Sequence, residues 1–297
     1  MKKFIGSINI GVLFMLISSF SFAIDGALAK VLSAHMDSIE VVFFRNGIGV
    51  LLVASTIFKR PIRQIGGKPW LLLFRAFIGF SAMLAFFYNI AHIPLADAMT
   101  FSRTAPIFTV ILAFLFLNEK IGVKGWFAVA IGFLGIVLIM KPGGLTLSKT
   151  DIFGLLSGLG AALAYTSVRE LKKFYDTRTI VLAFVSLGTV VPVILMIIGE
   201  FYHVEMFDFM MGKFVMPQGI AWLYIALMGI SGAIGQVYMT KSFGAERAGI
   251  VGAAGYSIIF FALIIGVILG DPLPDFLGVL GILAVVISGI IVAREKV

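Results

Sequence analysis

Five ionisable side chains interrupt long apolar stretches of this chain: Asp25, Arg45, Arg75, Asp97 and Arg103. In a bilayer each costs at least ~2.5–3.5 kcal/mol at mid-membrane, so each needs a partner, a wet cavity or an escape to the surface. With a 1.5 Å rise per helical residue, Asp25, Arg45 and Arg103 fall about 10, 9 and 12 Å below the outer ends of their segments. Three charges on three helices at one depth predict a water-accessible polar cavity in the outer half. One arginine, with help from Lys30, can neutralise Asp25; the second is then left to attract an anionic substrate group, for which guanidinium geometry is suited. The competing reading is a structural Asp–Arg pair that locks two helices.

Pro106 follows Arg103 by three residues. It cannot donate to the Ser102 carbonyl, so the helix is expected to kink at cavity depth. Water or ligand can replace the missing bond, and so can the nearby hydroxyls of Ser102, Thr104 and Thr109. Asp97, in the first turn after Pro94, suits the positive end of a helix dipole. Arg75 lies close enough to a segment end to snorkel to the cytoplasmic face. Tyr88, Asn89, Tyr165, Tyr238, Gln236 and Tyr256 are candidates to line a pathway, and each also suits plain packing or an interfacial belt. Tyr256 occupies in the second half the place that Pro106 holds in the first. The three histidines, His35, His92 and His203, are scattered and there is no cysteine, so no metal site, cofactor or disulfide is expected.

The elements that position these residues follow from composition. The 297 residues are 60% hydrophobic and 13% charged, about half the charged fraction of a soluble domain. Apolar runs long enough to cross about 30 Å of hydrocarbon tile the chain, which predicts an all-α polytopic membrane protein rather than a β-barrel. The expected spans are 7–32, 39–58, 70–91, 95–117, 122–140, 151–171, 179–199, 218–241, 246–269 and 275–293. The first is too long for a cleaved signal peptide and is read as a retained helix.

The formal charge of +8 forms no nucleic-acid patch; the basic residues sit in short loops. With the N-terminus inside, 16 of the 23 Lys/Arg fall in cytoplasmic segments, among them Lys2, Lys3, Lys59, Arg60, Lys68, Lys172, Lys173 and Arg178. The positive-inside rule then places both termini in the cytoplasm, in a cell (inner) membrane. The longest connection, Glu200–Gln218, is rich in Phe and Met and suits the outer interface.

The halves resemble each other. GVLFMLISSFSFAIDGALAK lies over GLLSGLGAALAYTSVRELKK, and YNIAHIPLADA over YMTKSFGAERA. Five spans per half invert the second copy relative to the first, giving repeats 1–143 and 150–297 with substrate expected between them at mid-membrane. Gly154 and Gly158 form a GxxxG pair suited to close helix packing.

FAIDGALAKVLS, VVFFRNGIGVLLV, LAFFYNIAHIPLADAMTFSRTAPIF, LNEKIGVKGWFAVAIGFLGIVLIMKPG and ALAYTSVRELKKF together resemble the EamA-type branch of the drug/metabolite transporter superfamily. The resemblance covers the whole chain and is strongest from Arg45 to Gly143. In the second half LGDP stands where the family commonly has an acidic LGE, and Tyr256 replaces a usual proline. It implies ten helices in two inverted five-helix repeats, acting as a secondary transporter without an ATPase domain. Members carry amino acids and their metabolites, nucleotide-linked sugars, vitamins or S-adenosylmethionine.

The expected function is alternating-access transport of a small polar or amphipathic metabolite bearing an acidic group, by a monomer or dimer. The substrate-binding candidates are Asp25, Arg45, Arg103, Tyr88, Asn89, Tyr165 and Tyr256, with the kink at Pro106. A proton or counter-substrate is the expected coupling partner, and Asp25 is the candidate proton carrier unless a base pairs with it. A lipid flippase and a non-transporting structural subunit remain as alternatives. Without clustered surface His/Asp/Glu or a Walker motif, an enzyme or ATP-driven pump is not expected.

Overall fold

The computed structural model describes residues 10–62, 65–105, 107–108, 111–112, 122–140, 148–202, 210, 212, 214–245, 251 and 254–294, with the backbone alone at 140, 169 and 292–294. Among the described residues ten helices run in chain order: α1 Ile10–Leu32, α2 Ser38–Lys59, α3 Pro69–His92, α4 Leu95–Ser102, α5 Val123–Met140, α6 Lys149–Leu171, α7 Thr177–Phe201, α8 Ala221–Ala245, α9 Ser257–Ile268 and α10 Phe276–Arg294. Helix is the form that satisfies every backbone polar group within a single segment, as hydrocarbon surroundings require. Six helices, α1, α2, α3, α6, α7 and α8, are long and apolar enough to cross a membrane; α5, α9 and α10 are shorter apolar helices. The chain is a multi-pass membrane protein.

Local signals set the boundaries. Pro69 opens α3 at a position where its missing N–H costs nothing. Ser148 and Asp151 form a reciprocal capping box at α6, and Asp176 caps α7 through the Arg178 N–H. The span expected over 95–117 is broken. The α4 helix stops at Ser102, Arg103 turns out of it at φ −88°, ψ 7°, and Thr104 N–H closes a tighter bond to the Phe101 carbonyl at 3.1 Å. The break therefore lies at Arg103–Thr104. Pro106, the expected cause of the kink, is outside the described residues. In the span expected over 246–269 a turn at Tyr256 precedes α9.

The bundle has an apolar surface, and its apolar core also encloses polar side chains. Leu51, Phe58, Leu134, Ile197, Leu227 and Phe260 are exposed on its surface, whereas Ser18, Ser19, Asn46, Thr100, Thr240 and Ser242 are buried. The principal pairings are α1 with α8, α3 with α6, α5 with α10, and α2 with α7. Further contacts join α2 to α8, α1 to α9, α3 to α7, α4 to α9 and α4 to α6. Buried hydroxyls stitch these pairs: Ser18 donates to the Gly235 carbonyl at 2.8 Å, Ser242 to Gly11 at 2.6 Å, and Ser288 to Ala128 at 2.6 Å. Such bonds average about 0.6 kcal/mol in membrane bundles, so they specify register more than they stabilise.

Ion pairs tie the ends. At the end carrying the 60–68 connection, Lys68 and Lys173 meet Glu170 at 2.8 and 2.6 Å, and Arg178 Nη1 donates to the Arg60 carbonyl at 2.7 Å. At the opposite end Lys30 pairs with Asp271, which also accepts from Leu95 N–H at 2.9 Å. Lys30 therefore serves Asp271 and not Asp25. In the 200–218 connection, Val215 N–H bonds Glu40 at 3.3 Å and Phe214 packs on Phe44; residues 203–209, 211 and 213 are outside the described residues.

Candidate substrate cavity

A cavity of about 100 Å³ lies between α1, α2, α3, α6, α7 and α8, beside the break that follows α4. Its charged and polar lining is Asp25, Arg45, Arg75, Ser102, Arg103, Ser157, Tyr165 and Gln236; its apolar walls include Phe22, Met83, Phe86, Phe87, Met99 and Phe184. Several waters fit such a volume, which is below the roughly 300–1,000 Å³ of a site enclosing a drug-sized ligand.

Asp25 on α1 and Arg45 on α2 are buried at 2% and 4% exposure, and Arg45 Nε lies 3.0 and 2.9 Å from the two carboxylate oxygens. Arg45 Nη1 also reaches Asn46 Oδ1 at 3.4 Å, and the Phe22 and Phe87 rings lie 5.9 and 5.6 Å from the guanidinium. Glycine at 232 makes room for this group, because a Cβ there would sit 2.9 Å from the guanidinium. Asp25 and Arg45 neutralise each other.

Arg103 differs. It is 8% exposed, and no carboxylate pairs with it among the described residues. Its Nε has no hydrogen-bond partner. Its Nη1 lies against Gly255, with the phenols of Tyr165 and Tyr256 as electrostatic neighbours. The break after α4 frees Arg103 from the helical path, and α6 packs onto that break through Gly154 and Gly158. A Cβ on Gly158 would overlap the Thr104 hydroxyl and approach the Phe101 carbonyl oxygen to 2.9 Å. Thr104 and Ser102 hydroxyls bond back to the Phe101 and Met99 carbonyls at 2.7 and 2.9 Å, so local side chains stabilise the turn.

Arg75 corrects the expectation of a snorkelling side chain. It is 1% exposed, lies 4.5 Å above the Phe184 ring, and leaves Nε and Nη1 without hydrogen-bond partners. Gly79, one turn along the same helix, faces the same place: a Cβ there would stand 3.3 Å from the Phe184 ring and 3.4 Å from the Arg75 guanidinium. Gln236, buried at 4% with Nε2 unpartnered, also lines the cavity.

The other candidates lie elsewhere. Tyr88 stacks on His92 and meets Phe153 edge-on, and Asn89 Nδ2 donates to the Thr150 carbonyl at 2.9 Å. Both belong to the contact between the end of α3 and the start of α6, outside the cavity lining. Tyr165 is in the lining, stacked on Phe243. Tyr256 is 5% exposed and packs its phenol against Gly289 on α10. Asp97 stands in the first turn of α4, as the dipole argument expects. No group of His, Cys, Asp and Glu able to hold a metal occurs among the described residues.

The EamA-like transporter family profile matches residues 9–141. A transporter of Helicobacter pylori is 35% identical over 97% of this chain and 95% of that protein. The pseudopaline exporter CntI of Pseudomonas aeruginosa is 33% identical over 96% of each. The chain belongs to the EamA-like transporter family. A solved crystal structure at 15% identity superposes with a TM-score of 0.62, covering 96% of this chain and 95% of that one, which supports the fold alone. As an EamA-like member of the drug/metabolite transporter superfamily, the protein is a membrane transporter.

Proposed function

We propose that this transporter is a secondary carrier of a small polar or amphipathic metabolite with an acidic group. It works by alternating access in a cell (inner) membrane, with both termini cytoplasmic. The carrying observation is Arg103: a buried guanidinium in a cavity, at a helix break, with no carboxylate partner among the described residues. A structural membrane subunit has no use for such a group, whereas an anionic ligand neutralises it.

Two inverted repeats, 1–143 and 150–297, supply the moving parts of this reading. Exchanging each helix with the one five places away maps the principal pairings onto one another. The α1–α8 contact becomes α6–α3, α1–α9 becomes α6–α4, α2–α8 becomes α7–α3, and α2–α7, α4–α9 and α5–α10 are unchanged. An internal two-fold requires that pattern, and carriers of this type bind substrate between their halves.

Thermal unfolding of the detergent-purified protein against amino acids, nucleotides, flavins, S-adenosylmethionine and dicarboxylates tests the site. A ligand at 100 times its Kd stabilises by ~2.7 kcal/mol. The expected result is a stabilising ligand whose effect is lost in Arg103→Gln. A shift that persists unchanged in the folded variant overturns the assignment.

A further inference from the structure

The cavity holds a second uncompensated guanidinium. Among its ionisable lining residues, Asp25 is consumed by Arg45, which leaves Arg75 and Arg103 with no opposing charge among the described residues. They stand against different walls. Arg75, on α3, lies over Phe184 of α7; Arg103, after α4, lies against Gly255 ahead of α9. Tyr165 of α6 is an electrostatic neighbour of both. Apolar side chains, among them Met83, Met99, Phe86 and Ile258, supply the rest of the lining.

From this arrangement, and resting on the reading of the cavity as a transport site, we infer that the substrate carries two separate anionic groups, one for Arg75 and one for Arg103, joined by a short apolar spacer. Its class is the compact dicarboxylate. A single anion leaves one buried guanidinium unneutralised, which is costly in a medium of low dielectric. Two carboxylates satisfy both, each through the planar fork that guanidinium offers. Tyr165 supplies a hydroxyl in the same space, and Gln236 an amide donor without a partner. The small volume favours a short spacer, which suits the apolar surface in the lining.

The test uses the full-length protein and three probes of nearly equal size: glutarate, its monoamide glutaramate, and neutral glutaramide, with succinate to pimelate as a length series. Affinities come from calorimetry or ligand-induced thermal shift, on wild type, Arg75→Gln, Arg103→Gln and the charge-conserving Arg75→Lys. One charge-assisted hydrogen bond is enough for a preference of at least ~10-fold for the dianion over the monoamide in wild type. That preference is expected to fall to near unity in Arg75→Gln and in Arg103→Gln, and to be partly kept in Arg75→Lys.

Equal binding of glutarate and glutaramate to wild type overturns the two-anion inference and needs no variant to read. If both are then lost in Arg103→Gln, a single-anion transport site stands. Undiminished dianion preference in folded Arg75→Gln also overturns it. So does failure of every dicarboxylate in the series to bind, whatever other ligand the protein takes.

Discussion

Arg45 Nε approaches both carboxylate oxygens of Asp25, at 3.0 and 2.9 Å, with both residues almost wholly buried. The pair joins α1 to α2 at the edge of the cavity and removes from it the carboxylate suited to carrying a proton. It also makes Asp25 a structural residue whose loss strands a cation in low dielectric.

The first prediction concerns that pair. Asp25→Asn is expected to lower stability by about 3–5 kcal/mol, because breaking a buried pair from one side leaves its partner uncompensated. Asp25→Asn combined with Arg45→Met is expected to recover most of the loss, since replacing both charges removes the desolvation cost too. Thermal unfolding of the four proteins in one double-mutant cycle reads the coupling. Additive losses would show that the pair contributes no interaction of its own.

Gly158→Ala provides a second prediction. The added methyl meets the Thr104 hydroxyl and the Phe101 carbonyl oxygen, the two atoms that form the turn delivering Arg103. Overpacking of this kind costs about 1–3 kcal/mol. Thr104→Ala in the same chain should restore part of the stability by clearing one of the two contacts. An unchanged melting temperature for Gly158→Ala would mean that α6 does not rest on the break.

A third prediction concerns pH at the end bearing Lys68. Hydrogen bonds from Lys173 and Lys68 hold the Glu170 carboxyl at about 2, against 4.5 for an unperturbed glutamate. The folded chain therefore takes up this proton less readily than the unfolded chain. The stabilisation is complete above about 4.5 and disappears as pH falls to about 2. Melting temperature followed against pH should show wild type and Glu170→Gln differing above this window and converging within it. The difference should be small and shrink with added salt, as for any exposed pair. A gap that widened on acidification would contradict the assignment.

Sequence showed the frame of the molecule more readily than the aim of its long side chains. Apolar runs marked the six long spans because hydropathy alone decides what a bilayer accepts. Asp25 was visible as the partner of one arginine because matched depth is a one-dimensional quantity, whereas the choice of Arg45 over Arg103 depends on how the helices pack. Arg75 was misread because its distance from the helix end allowed snorkelling, whereas its guanidinium lies inward over the Phe184 ring of α7. Lys30 was assigned to Asp25 by nearness along α1, whereas Asp271, 241 residues away, holds it. Tyr88 and Asn89 are polar groups on an apolar helix, as cavity residues are, but they spend that polarity on His92, Phe153 and Thr150 at the α3–α6 contact. Phe184, Phe153, Thr150 and Asp271 all lie outside the segment whose residue they meet, where no periodicity within that segment can report them.

The unneutralised guanidiniums of Arg75 and Arg103 also bear on electrical work. An empty cavity with both charged carries two positive charges through any reorientation, while the same cavity filled by a dianion carries none. Each elementary charge that crosses a 100 mV potential exchanges about 2.3 kcal/mol with the field. On the proposed cycle with a dianionic substrate, membrane voltage acts on the return of the unloaded carrier, while the loaded step passes electrically silent.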